Sequence, residues 1–208
     1  MPPPGRIAPT TSMPVARRLN SWMSVAVVGV LVAYPLLVYF GLGRFGVRGV
    51  GLSLIVVCAL RLALSLVRRD RGLPTAQLLL IGGGGILLAG ASVVGASPKP
   101  MLHYPVVVNG AMMLLFAWSL ARPPTVVERL ARLRDPELPP EGVRYTRGVT
   151  IAWVTFFVVN GGAALYTALY ASLETWALYN GLIAYILIGV MFGTEFLIRA
   201  AVMARLRR

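Results

Sequence analysis

Cysteine, histidine and acidic side chains are nearly absent from this sequence. Its 208 residues include one cysteine, one histidine and 7 acidic residues, against 20 basic ones. The single cysteine, Cys58, excludes an internal disulfide and any Cys-x-x-C metal or redox site. An enzyme would need a general base or a metal cluster, and His103 with Glu174 is the one candidate pair. We therefore predict no catalytic residues, no metal and no cofactor.

The low share of charged residues indicates that the protein is surrounded by lipid. Only 13% of the residues are charged and 57% are apolar, whereas about a quarter of the residues in soluble domains are charged. The formal net charge of +13 would suit nucleic acid, but the basic residues lie at the ends of apolar runs. The positive-inside rule already explains that placement. The predicted partner is therefore the lipid bilayer, and no nucleic acid.

Apolar runs of about 17 to 23 residues recur along the chain, the length that crosses a hydrocarbon core of about 30 Å as a helix. We predict an all-α, polytopic transmembrane bundle of six helices with a short cytoplasmic amphipathic helix. The predicted spans are residues 22–40, 49–67, 75–96, 104–120, 149–170 and 176–198.

The basic residues favour one side of this predicted bundle. With the N-terminus in the cytoplasm, 16 arginines fall on the cytoplasmic side and 3 basic residues on the other. This bias predicts a multi-pass protein with both termini in the cytoplasm. The predicted organisation is a disordered tail at residues 1–20, one membrane domain at 21–200 with a cytoplasmic loop at 121–148, and a basic tail at 201–208.

The central loop contains the predicted amphipathic helix, from Thr125 to Arg134. Thr125 and Glu128 have the spacing of a capping box, in which each side chain accepts a hydrogen bond from the other residue's amide. Such a helix either lies on the inner leaflet or caps the bundle. Its predicted apolar face consists of Val126, Val127, Leu130 and Leu133.

Polar side chains are concentrated in the predicted outer half of the bundle. Asn109, Asn160 and Asn180 lie at similar depth on spans 4, 5 and 6. Two interpretations fit: hydrogen bonds between helices with an aromatic belt, or a polar cleft that accepts a head group or the polar end of a long apolar ligand. The candidate ligand-binding residues are Tyr34, His103, Tyr104, Asn109, Asn160, Glu174, Tyr179 and Asn180.

Two charged residues lie near the cytoplasmic ends of spans 2 and 6. Arg61 and Glu195 are predicted to form an ion pair between helices, because burial favours a partner over an isolated charge. The alternative is that Arg61 extends to the interface while Glu195 pairs with Arg199 one turn away.

Four segments occur in the order typical of a known family: Pro35–Phe40, a span that ends in arginines at Arg68, Arg122–Pro124 before a short basic helix, and Ala152–Phe157. In these features the chain resembles the inner-membrane septation protein A family, the YciB type.

Four further segments are similar to a proteobacterial branch of uncharacterised membrane proteins associated with aryl-polyene or polyketide pigment gene clusters. These segments are Glu128–Arg132, Leu138–Glu141, Val143–Arg147 and Leu178–Tyr185. The resemblance implies the bacterial cytoplasmic (inner) membrane and a function in the cell envelope, and it carries over no catalytic residue.

The first expectation is therefore a non-catalytic protein in envelope assembly, or a membrane partner of a biosynthetic system. Its partners would be other envelope or biosynthetic membrane proteins, and no oligomeric state is predicted. The second is a carrier or flippase for a lipid-linked or aryl-polyene-type product. The third is an intramembrane transferase. A closed bundle would favour the first and a polar cavity the second, whereas His103 and Glu174 together beside a cavity would favour the third.

Overall fold

The computed structural model describes residues 33–68, 77, 79–133 and 135–206. These residues form helices and short connections without any strand, which confirms the predicted all-α class. The predicted tail at residues 1–20 and most of the first span lie outside the described residues, as does Arg134 at the end of the predicted amphipathic helix.

Among the described residues, four helices are long and apolar enough to cross a membrane. This length and composition are typical of membrane proteins. The second, third and fourth coincide with the predicted spans 4, 5 and 6, whereas a further apolar stretch within predicted span 3 is shorter. The four helices are Tyr34–Ser65, Met101–Ala121, Pro140–Tyr170 and Leu173–Arg199, and the shorter stretch is Leu79–Val94.

The first helix, α1 (Tyr34–Arg68), is broken at Gly46, where φ is 65° and ψ is 179°. Val50 lies beside Gly41: a Cβ on that glycine would be 2.8 Å from the valine Cγ2. Nine residues along a straight helix would separate the two by about 13 Å, so the chain folds back at Gly46. The two arms of α1, residues 34–45 and 47–68, border a shared groove. The break at Gly46 falls between the predicted first and second spans.

A π-helical turn, Leu79–Gly83, precedes α2 (Gly84–Val94). Glycines allow close packing here, because a Cβ on Gly85 would lie 2.8 Å from the Cys58 Sγ atom. Small residues permit this approach between membrane helices.

A 3-10 turn, Met101–His103, leads into α3 (Tyr104–Ala121) and then α4 (Val126–Arg132). The predicted capping box at the start of α4 is present, with the Glu128 amide donating to the Thr125 hydroxyl at 3.2 Å. Val127 is buried against α3 and the long helix that follows, whereas Leu130 and Leu133 are exposed. The predicted apolar face is therefore divided between the bundle and the surface.

Helix α5 (Pro140–Tyr170) begins nine residues before the predicted start of span 5 at Val149. Residues 141–148, predicted as part of a loop, are helical. Proline suits the first turn of a helix because its missing N–H would have no partner there, and Glu141 suits the positive end of the helix dipole. The prolines that suggested a linker therefore mark a helix start.

The last membrane-length segment is composed of α6 (Leu173–Leu178), a π-helical turn at Tyr179–Ile183 and α7 (Ala184–Leu206). It runs antiparallel to α5: Asn180 contacts Thr167 near one end of the pair, and Glu195 contacts Tyr145 near the other. Helix α7 extends through Leu206 into the predicted C-terminal tail.

Candidate ligand-binding cavity

A cavity of about 550 Å³ lies between α1, α3, α5 and α7. Five of the eight predicted ligand-binding residues line it, and so do both residues of the predicted ion pair. A volume of this size is within the range of small-molecule sites. The predicted residues in its wall are Tyr34, Tyr104, Asn109, Asn160 and Asn180, with Arg61 and Glu195.

One end of the cavity, which we call the amide end, is formed by the three asparagines. Asn160 donates to the Asn109 Oδ1 atom at 3.0 Å and accepts from the Tyr179 hydroxyl at 3.0 Å. Asn180 donates to the Thr167 hydroxyl at 3.1 Å. Asn109 and Asn160 therefore meet, whereas Asn180 bonds α5 seven residues further along, and all three line the same cavity. Tyr179 supports this network from outside the cavity wall.

Two tyrosines close the amide end. The rings of Tyr34 and Tyr104 lie 4.8 Å apart, and each residue stands at the start of its helix before a proline. The Tyr34 hydroxyl donates to the Met101 carbonyl, and the Trp176 indole donates to the Leu102 carbonyl at 3.0 Å. These bonds connect α1 and α6 to the turn before α3, so the tyrosine positions are fixed.

His103 and Glu174, the other two predicted ligand-binding residues, do not line the cavity. The His103 Nδ1 atom lies 2.9 Å from the Lys99 carbonyl, and the Glu174 side chain is exposed. No group of three His, Cys, Asp or Glu that could hold a metal occurs among the described residues. The arrangement that would have favoured a transferase is therefore not formed by this pair.

The middle of the cavity is apolar and aromatic. Trp153 lies 5.6 Å from Phe157 and 4.8 Å from Phe192 between ring centroids, and Phe116 lies 5.4 Å from Phe157. Such a wall suits a hydrocarbon or conjugated chain, which gains contact area and requires no hydrogen bonds.

The opposite end, which we call the ionic end, carries the charged residues. Glu195 pairs with Arg199 at 2.9 Å, as in the alternative to the predicted interhelical pair. Arg61 donates to the Ser65 hydroxyl at 3.0 Å and lines the same cavity. A direct Arg61–Glu195 ion pair stays a prediction.

Both π-helical turns of the described chain contribute to the cavity, through Gly82 in one and Asn180 in the other. An extra residue in a helical turn redirects side chains and loosens backbone bonding, and such turns occur frequently at functional sites. Both coincide with glycine-containing sequence, the run before Gly85 and the Asn180-Gly181 pair. Nothing in the sequence beyond those glycines predicted them.

The segment Leu173–Arg199 is the least buried of the four long apolar segments. Only 6% of the residues in its most apolar window are buried, compared with 28% for Pro140–Tyr170. It contacts α5 through Phe192 with Trp153 and through the Glu195 carbonyl with Tyr145, and it contacts α1 near Leu36. The cavity is therefore bordered by a helix with little packing against the rest of the bundle.

The aromatic wall was missed by the sequence reasoning, although a signal for it exists. The buried residues of α5 repeat at alternating spacings of three and four, which is the pattern of one helix face. They are Thr146, Thr150, Trp153, Phe157, Asn160, Ala164 and Thr167. This spacing puts Trp153 and Phe157 on the same helix face as Asn160, and that face lies in the bundle interior.

Replacing Asn160 with leucine is expected to remove its two hydrogen bonds, to Asn109 and to Tyr179. Bonds of this kind between membrane helices contribute about 0.6 to 1.7 kcal/mol each, so the free energy of unfolding in micelles should fall by about 1 to 3 kcal/mol without loss of membrane insertion. Asn109→Leu is the comparison: it removes the bond to Asn160 and a local bond to the Pro105 carbonyl but leaves the Tyr179–Asn160 bond, so it should cost less than Asn160→Leu. Equal stability of Asn160→Leu and the wild type would contradict the network.

Comparisons with protein-family models, with curated proteins and with solved structures find no match to this chain.

Proposed function

We propose that this protein binds a long amphipathic molecule within the bilayer and acts as its carrier. The proposal is based on a single cavity whose wall is formed by amides at one end, aromatic rings in the middle and charged residues at the other end. Asn180 and Glu195 are fifteen residues apart, about 22 Å along a helix. This is comparable to the length of an extended long-chain acyl group.

The proposed setting is the bacterial cytoplasmic membrane, with six spans and both termini in the cytoplasm. Its supports are the bias of 16 basic residues to 3 and the fold-back at Gly46, which separates the first two predicted spans. In this orientation the amide end faces outward and the ionic end faces the cytoplasm. Helix α4 then lies at the inner interface, with Leu130 beside the cavity and Leu133 directed to lipid.

The resemblance to septation protein A relatives is part of the same proposal. It supports a function in the envelope and a lipid-linked or aryl-polyene-type product as the cargo. Among the three expectations from the sequence, the cavity favours the carrier. A non-catalytic role in envelope assembly stays a prediction.

The test uses the purified full chain in micelles and an uncharged probe, a long-chain fatty alcohol with a photoreactive diazirine. Cross-links should map to the cavity wall at Trp153, Phe157 and Phe192. Val158 and Val159 are on the exposed face of α5 and provide the comparison within the same helix. Labelling confined to that exposed face would contradict the proposal.

A matched pair of variants on α7 tests the cavity without the need to locate the cross-linked residues. Ile188 lines the cavity, whereas Ile186 is 55% exposed and is not part of the wall. Ile188→Trp should fill part of the cavity and reduce probe labelling about tenfold, and Ile186→Trp should leave it unchanged. Thermal unfolding of both variants shows whether the bundle is retained. Equal labelling of two folded variants would exclude the cavity as the binding site.

A further inference from the structure

We infer that the turn between α3 and α4 binds the head group of an anionic phospholipid, at a site separate from the cavity. This inference goes beyond the proposed function and does not depend on it. The turn follows a helix that is long and apolar enough to cross a membrane, so it lies where such a helix meets the head groups. Three exposed arginines are held against it, and none of them lines the cavity. They are Arg122, Arg129 and Arg147, which we call the arginine cluster.

Two members of the arginine cluster are positioned by backbone carbonyls of residues 120–124. The Arg147 Nη1 atom donates to the Leu120 carbonyl at 3.0 Å. The Arg129 Nε atom donates to the Pro124 carbonyl at 3.0 Å. These partners are neutral, so each bond orients a guanidinium group without cancelling its charge. A guanidinium has several further N–H donors in a fixed plane, which match the oxygens of a phosphate group.

The third member, Arg122, places the arginine cluster beside lipid. Its Cζ atom lies 4.3 Å from the centre of the Trp118 ring, and Trp118 is 59% exposed. Tryptophan near the end of a membrane helix lies at the level of the head groups. The cation-π contact therefore holds the Arg122 guanidinium at the depth of lipid phosphates, while the exposed ring is beside the acyl chains.

The charge of the arginine cluster is not balanced by nearby acids. Glu128 is buried and paired with Arg132 at 2.8 Å, and three exposed acids follow α4, at Asp135, Glu137 and Glu141. No carboxylate in the described part of the chain lies within 4 Å of a cluster guanidinium. The end of α3 contributes about half a negative charge through the helix dipole, which three positive charges exceed. The positive-inside rule explains arginines on one side of a membrane, but it does not explain three of them against one turn.

The experiment uses native mass spectrometry to count lipids bound to the purified full chain in detergent. The probes are dioleoyl phosphatidylglycerol and dioleoyl phosphatidylcholine, which have the same acyl chains and differ in net charge. Phosphatidylglycerol should bind more tightly. Arg122→Gln and Arg129→Gln should each weaken its binding about fivefold, the effect of one basic residue near a membrane surface, and leave phosphatidylcholine binding unchanged. Arg144→Gln is the matched control, an exposed arginine one turn before Arg147 on α5, and should weaken binding less than twofold.

Arg122→Gln keeps the test independent of folding, because the Arg122 guanidinium contacts an exposed ring at the surface of the bundle. Thermal unfolding beside the wild type shows that each variant is folded. Equal binding of the two lipids, or an equal loss in Arg144→Gln, would overturn the site at this turn. Competition by glycerol 3-phosphate at the same concentration as the lipid would assign a soluble phosphate ligand and overturn the phospholipid. None of these results bears on the carrier, because the cavity wall contains no member of the arginine cluster.

Discussion

Replacing Trp176 with alanine is expected to lower the free energy of unfolding by about 3 kcal/mol, the largest effect of any change considered for this bundle. Trp176 is 0% exposed, lies 6.3 Å from the Tyr34 ring and donates to the Leu102 carbonyl at 3.0 Å. Its loss leaves a void among α1, α6 and the turn before α3. It also leaves the Leu102 carbonyl without that donor.

The expected loss lies at the lower end of the range for buried tryptophan in protein cores, about 3 to 5 kcal/mol. In a bilayer the lipid is as apolar as the protein interior, so moving an apolar side chain out of the bundle costs little. The lost packing and the lost hydrogen bond remain, and voids in protein interiors are costly. Denaturant unfolding in mixed micelles measures the change.

Trp118→Ala is the matched control, because Trp118 is 59% exposed and should contribute less than about 1 kcal/mol. An equal loss in the two variants would mean that Trp176 does not anchor the amide end. Because the Trp176 contacts hold Tyr34 in the cavity wall, Trp176→Ala should also reduce labelling by the photoreactive alcohol.

The second large effect is expected at Gly46. With φ at 65° and ψ at 179°, this residue has a backbone conformation that is essentially restricted to glycine. Gly46→Val should cost about 1 to 3 kcal/mol of backbone strain, with a branched Cβ adding to it. Relief of that strain would straighten α1 and separate its two arms.

Gly43→Val provides the comparison three residues earlier. A Cβ on Gly43 would meet no atom within 4 Å, and its backbone is helical. Its stability should therefore equal that of the wild type or exceed it slightly. The expected signature of Gly46→Val is lower stability together with a larger distance between spin labels at the exposed positions Phe40 and Leu52. An unchanged distance and unchanged stability would refute the requirement for glycine.

Several features of the fold were predictable because they depend on local chemistry. The capping box at Thr125 and Glu128 depends on atoms three residues apart, and it is present with both of its bonds. The apolar lengths of predicted spans 4 to 6 correspond to helices that could cross a membrane. The contact of Asn109 with Asn160 follows from their similar depth and from the cost of an unsatisfied amide in lipid.

Other features depended on packing between distant segments. The helical start at Pro140 was predicted as a loop, because a proline pair can either interrupt a chain or begin a helix. Glu195 had two possible partners: Arg199 is one turn away, whereas Arg61 is more than 130 residues away in sequence. Local periodicity places both partners near the same end of the bundle and does not decide between them.

The sequence by itself determined the all-helical class, the apolar lengths and the positions of the polar groups along each helix, because these follow from hydrophobicity and from short-range hydrogen bonding. Only the tertiary structure decided that the asparagines, the aromatic stripe of α5 and the charges of the last helix share one cavity. The rotation of each helix about its own axis and the sparse packing of α7 determine the shape of that cavity. Both depend on side-chain packing across the bundle, which composition and periodicity do not specify.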